Sequence, residues 1–104
     1  MGKEKIIRLI KHFMLHVNEI SLQKIILFGS QATGEATEDS DIDLIVVAPD
    51  FEKMNFFERV KKMNNYWNLD YAVDFLCYTP EEFEKKKNRI SIVSEALKEG
   101  VIIE

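Results

Sequence analysis

The sequence predicts an α+β fold of α/β-like character, in which a small mixed β-sheet carries helices packed mainly on one face. Three observations lead there. The chain opens on a helical apolar period, three short apolar runs rich in β-branched and aromatic residues follow, and the runs are joined in two different ways. The first and second are separated by small polar residues, Gly29 to Ser40, which suits an antiparallel, hairpin-like pair. The second and third are separated by a helical period, and a crossover of that kind makes their pairing parallel.

The elements follow in order. Ile6, Ile10, Phe13, Met14 and Val17 recur at steps of three and four with Lys, Arg and His between them, predicting an amphipathic helix over about 3–18. Lys24 to Phe28 is a short buried strand that ends at Gly29. Asp41 to Val47 reads as the second strand, closed by Pro49. Phe56, Val60, Met63 and Trp67 share one face of a helix expected over 52–66, with Lys61 and Lys62 near its C-terminus, where the helix dipole favours cations. Tyr71 to Tyr78 is the third strand. Thr79-Pro80-Glu81-Glu82 is a capping box with proline at the first helical position and starts the next helix. The run Lys85-Lys86-Lys87-Asn88-Arg89 closes that helix and reads as dipole compensation rather than a nucleic-acid patch. Ile90 to Lys98 is the last helix, Gly100 its C′ residue, and Val101-Ile102-Ile103 an apolar tail suited to an edge strand or a contact surface.

Composition removes several classes of function. The 104 residues predict one domain over 1–104. With 46% hydrophobic and 31% charged residues the chain can bury a core, and its two prolines fall between elements. Fourteen Lys and Arg against 18 Asp and Glu give a net charge of −4, which argues against direct nucleic-acid binding. The single Cys77 forms no internal disulfide and reads as a small buried apolar residue, in keeping with a cytoplasmic protein. The longest apolar run, Leu44 to Ala48, is far shorter than the roughly 20 residues that span a bilayer.

The chemistry concentrates in the acids. Asp41 and Asp43 are two residues apart at the start of a strand, so both carboxylates look the same way. The face continues with Ile45 and Val47, which places the pair at the rim of an apolar surface, where mutual repulsion raises at least one pKa and a cation relieves it. A solvated strand start explains the pair equally well. Asp74 breaks the tie, because inside Tyr71-Ala72-Val73-Asp74-Phe75-Leu76 it is expected in the middle of a buried strand and needs a partner. Lys or Arg, backbone donors, or a metal shared with Asp41 and Asp43 would serve, and three converging acids favour the metal. Oxygen-only ligation suits Mg²⁺ or Mn²⁺ rather than zinc. His12 and His16 have the spacing of a helical zinc pair, but Phe13 follows the first and no third ligand is in view, so they read as solvated. Gly29-Ser30 after the first strand, with Gly34 beyond, would let backbone N–H groups approach an anion at the end of the sheet where the acids stand.

Together Gly29-Ser30, Gly34, Ser40-Asp41-Ile42-Asp43-Leu44 and Asp74 resemble the Gly-Ser, Asp-x-Asp and third-Asp motif of the DNA polymerase β-type nucleotidyltransferase superfamily. More closely, the chain is similar to the minimal nucleotidyltransferases that act as antitoxins beside HEPN-domain toxins. The likeness spans nearly the whole chain and departs at Gln31 and Thr33, where relatives often carry Arg. It implies the nucleotidyltransferase fold with core strand order 1-2-3. It further implies two Mg²⁺ ions, Mn²⁺ being the alternative, on Asp41, Asp43 and Asp74, ATP as substrate, and phosphates held by Gly29, Ser30, Gly34 and Ser40. The implied reaction moves AMP to a hydroxyl, a tyrosine, of a HEPN toxin. The alternatives are a binding module that neutralises its partner by occupation and a transferase acting on tRNA ends or a small molecule, with a homodimer completing the site.

Overall fold

A computed structural model describes residues 2–37, 40–89 and 91–103. Helix α1 (Lys3–His16) leads into strand β1 (Lys24–Phe28), the single-turn helix α2 (Ser30–Thr33) and strand β2 (Ile42–Val47). A 3₁₀ turn (Pro49–Lys53) precedes helix α3 (Phe56–Tyr66), then come strand β3 (Val73–Tyr78), helices α4 (Pro80–Lys87) and α5 (Ile92–Glu99), and strand β4 (Val101–Ile103).

The sheet order is β3-β2-β1-β4. Strands β1 and β2 are antiparallel, with Phe28 opposite Asp43, and β2 and β3 are parallel, with Asp43 opposite Asp74. Both orientations and the 1-2-3 core are those expected. The apolar tail resolves to an edge strand, antiparallel to β1.

Alternation along the strands divides the interior in two. Ile25, Leu27, Leu44, Val46, Phe75 and Cys77 face α1 and α3, where Ile6, Ile10, Phe13 and Met63 are fully buried. Each such side chain contributes about 1.5–3 kcal/mol by leaving water. Phe13, Trp67 and Phe75 form an aromatic cluster with ring centroids 5.0–6.0 Å apart. Ile26, Ile45, Val47 and Tyr78 point the other way, onto Phe83 of α4 and Val93 and Ala96 of α5. Helices α1 and α3 thus lie on one face and α4 and α5 cover the other, so the small mixed sheet forms as expected but its helices are divided between both faces rather than packed mainly on one.

Several element ends differ from the sequence reading, each for a local reason. Helix α3 starts at Phe56 rather than 52 because Asn55 and Glu58 form a capping box behind the 3₁₀ turn. A second box, Ser91 with Ser94, sets the start of α5 at Ile92; the expected start, Ile90, lies outside the described residues. The capping box at Thr79 and Glu82 forms as expected. Gly100 is not left-handed (φ −76°). Glycine is needed there for room, since a Cβ would lie 2.3 Å from the Ala96 carbonyl oxygen and 2.9 Å from Ile26 Cγ2.

Candidate active site

The antiparallel turn between β1 and β2 brings the end of β1 beside the start of β2, and the parallel crossover brings the start of β3 to the same edge. Gly29, Ser30, Asp43 and Asp74 therefore meet at one end of the sheet, with Asp41 just before β2. Asp43 and Asp74 sit on neighbouring strands in direct register, with strand axes about 4.8 Å apart.

Gly29 has φ 72° and ψ −159°, backbone that is essentially restricted to glycine. It is also pressed against the acid: a Cβ there would lie 2.3 Å from Asp43 Oδ2. The same residue thus bends the chain into α2 and clears the space for the carboxylate. Helix α2 closes through Ala32 N–H to the Gly29 carbonyl (3.0 Å) and Gly34 N–H to the Ser30 carbonyl (3.1 Å), so the N–H groups of Ser30 and Gln31 have no acceptor within the helix.

Burial raises the Asp43 pKa above its ordinary value of 3.8, and the charges of Asp74 and Asp41 push it further the same way. Repulsion among three carboxylates marks a place that a cation would relieve. Asp41 and Asp74 are exposed and Asp43 is partly buried. Asp74 is therefore not the mid-strand buried carboxylate expected: β3 begins at Val73, which leaves Asp74 at the open rim. Among the described residues no three His, Cys, Asp or Glu side chains are already drawn around a common point. The trio is an open rim of hard oxygen donors, of the chemistry Mg²⁺ takes, rather than a closed cage.

A groove of about 560 Å³ begins at Asp43 and Asp74 and is walled by Phe28, Phe56, Val60, Val73 and Ile92. Phe56 and Ile92 remain 52% and 53% exposed, so the groove presents apolar walls and an acidic end to solvent. Phe56 was expected on the buried face of its helix; at the first position of α3 it overhangs the groove instead. A smaller hollow of about 250 Å³ runs from Gly29 to Lys98 of α5, which pairs with Glu95 at 3.2 Å.

Residues 7–99 match the nucleotidyltransferase domain family. The chain belongs to that family. It is 42% identical over 105 residues, 99% of both chains, to a Methanocaldococcus jannaschii protein named "putative protein adenylyltransferase". A second protein of that organism with the same description is 30% identical over 93 residues, covering 88% of this chain and 86% of the other. A solved "putative nucleotidyltransferase" from Sulfolobus solfataricus has a TM-score of 0.66 at 22% identity, over 96% of this chain and 80% of that one, a likeness of fold. A toxin–antitoxin solved with AMP-PNP has a TM-score of 0.55 at 25% identity, over 100% of this chain and 73% of that one.

In this nucleotidyltransferase the residues singled out in the sequence take different places. Gly29, Ser30, Asp43 and Asp74 come together directly. Gly34 is a left-handed helix cap (φ 85°) with open space beside it. The Ser40 hydroxyl, just ahead of β2, accepts from the Thr37 N–H (2.9 Å). Gln31, one of the departures from the family pattern, is buried, and its Nε2 donates to the Ser40 carbonyl at 3.3 Å, tying α2 to the chain just ahead of β2. Thr33, the other departure, is exposed, and its hydroxyl donates to the Ser30 carbonyl at 3.3 Å.

The groove walls were missed. Adjacent Phe56 and Phe57 were the available signal, since neighbouring positions of a helix cannot both face the core. Arg59 was missed as well. Buried at the far end of the sheet, it donates to the carbonyls of Phe51, Met54 and Cys77 and to Glu82, so it anchors structure.

Proposed function

We propose that this nucleotidyltransferase moves AMP from ATP to a hydroxyl, a tyrosine side chain, of a HEPN-domain toxin, and so acts as its antitoxin in the cytoplasm. The observation that carries the reading is the Asp43 carboxylate seated against Gly29, in register with Asp74, at the mouth of an apolar groove. The name of the relative matched over 99% of both chains and the AMP-PNP-bound toxin–antitoxin neighbour support the donor and the kind of acceptor.

Asp41, Asp43 and Asp74 would hold Mg²⁺, or Mn²⁺, two ions in all. Bound there, the divalent ions would activate the attacking oxygen and neutralise charge on the leaving group. Gly29 offers the β- and γ-phosphates a close backbone approach, and the N–H groups of Ser30 and Gln31 are available to them. Gly34, the cap of α2, and Ser40, which accepts from the Thr37 N–H, would complete the same cradle. The acceptor oxygen attacks the α-phosphorus and a new P–O bond forms. The bond to the bridging oxygen breaks opposite it, pyrophosphate departs, and Asp74, exposed at the groove, takes the hydroxyl proton. Phe56 and Ile92 exclude water from one side of the acceptor.

The test incubates the full chain with ATP, Mg²⁺ and a purified HEPN-domain protein as candidate acceptor, and reads intact masses. Wild type should add AMP to the partner and Asp43→Asn should not. No transfer by wild type, together with neutralisation that survives Asp41→Asn and Asp43→Asn combined, would replace transfer by simple occupation.

A further inference from the structure

The last turns of α1 carry His12 and His16, the chain's two histidines, both exposed and one helical turn apart. Their Nε2 atoms approach to 3.3 Å, with ring centroids 4.8 Å apart and ring planes at 77°. Two nitrogens bound to one tetrahedral zinc at about 2.0–2.1 Å stand about 3.3–3.4 Å apart, whereas cis positions of a square-planar ion would bring them to about 2.9 Å. The observed separation is the tetrahedral one.

The surroundings agree. His16 closes α1, so a cation at the pair lies beside the negative end of the helix dipole. The two Nε2 atoms are within hydrogen-bond distance, either ring serving as donor according to its tautomer. With both hydrogens on Nδ1, and each exposed ring turned so that its Nε2 lone pair leaves the N–N line by about 35°, the two lone pairs meet on one ion. The chain runs from His16 to the start of β1, while the acidic rim lies past the end of β1, so the length of that strand separates the two places.

We propose that His12 and His16 form a surface chelate for one Zn²⁺ ion, with two coordination positions left to water or to a donor from another molecule. This site is independent of the transferase reading. It requires neither Asp43 nor a nucleotide.

The test is calorimetric titration of ZnCl₂ into the full chain, in buffer with excess Mg²⁺ to engage the carboxylates. One saturable site per chain is expected. His12→Asn and His16→Asn should each weaken it roughly tenfold or more, and Asp41→Asn with Asp43→Asn should leave it unchanged. In parallel, the ring proton resonances of both histidines should shift together at substoichiometric zinc. Histidine variants that bind zinc as wild type does, loss of the site in the aspartate variant, or no saturable binding below roughly 1 mM would each overturn the proposal. Both histidines are exposed, so the variants are expected to fold, and their circular dichroism is compared with wild type beforehand.

Discussion

Replacing Gly29 by Ala tests the junction on which the candidate site rests. Two costs act at once. The backbone at φ 72°, ψ −159° is a region side chains avoid, worth about 1–3 kcal/mol. The added methyl would stand 2.3 Å from Asp43 Oδ2, and forcing the two apart adds about 1–2 kcal/mol, the lower part of the usual overpacking range. Together they predict a loss of about 2–5 kcal/mol, or a melting temperature lower by about 10–25 °C for a chain of this size. Gly34→Ala is the control, because its φ of 85° is similarly left-handed but open space surrounds it; it should lose only about 1–2 kcal/mol. Asp43→Ala removes the obstructing oxygen. In a double-mutant cycle it should therefore recover about 1–2 kcal/mol of the Gly29→Ala loss. Metal-free urea unfolding of the wild type and these variants measures each value. Equal losses at Gly29 and Gly34, with no coupling to Asp43, would refute the claim that the glycine makes room for the carboxylate.

Three further outcomes are expected. Asp43→Asn should stabilise the metal-free protein at neutral pH: a carboxyl raised above 3.8 by folding penalises the folded state only once it ionises, so the gain is absent below pH 3.8 and grows as pH rises through the folded value. Thermal melts at several pH values check this, and a drop in stability at pH 7 would mean that Asp43 has a structural partner. Arg59→Met should cost about 3–5 kcal/mol by denaturant unfolding, because it strands the Phe51, Met54 and Cys77 carbonyls and takes the guanidinium from Glu82, which keeps only its capping bond to Thr79; a loss under about 1 kcal/mol would contradict its anchoring role. Gly100→Ala should cost about 1–3 kcal/mol and speed amide exchange in β4 selectively, since the new methyl collides with the Ala96 carbonyl at the α5–β4 junction.

Much of this protein was legible along the chain because it depends on short-range periodicity. The strand of Lys24 to Phe28, the capping box at Thr79 and the parallel and antiparallel connections follow from neighbours within a few residues or from the kind of segment between strands. The meeting of Gly29 with Asp41 and Asp43 was legible too, since one ends a strand and the others begin the next. The depth of a strand in the sheet was not. Asp74 was expected to be buried because its flanking residues are apolar, but burial depends on where β3 begins and on what covers it, and β3 starts only at Val73.

The sequence alone determined the order of elements, the strand directions and which acids share an edge, because alternation, caps and connection lengths are local quantities. The tertiary structure decided that Gly29 serves the Asp43 carboxylate as well as the turn and that Gln31 braces the loop before Asp41. It also decided that Phe56 and Ile92 wall a groove and that Arg59 is consumed by carbonyls far along the chain. Those facts depend on distances between residues remote in sequence, which are set only when the sheet pairs and the helices pack on it.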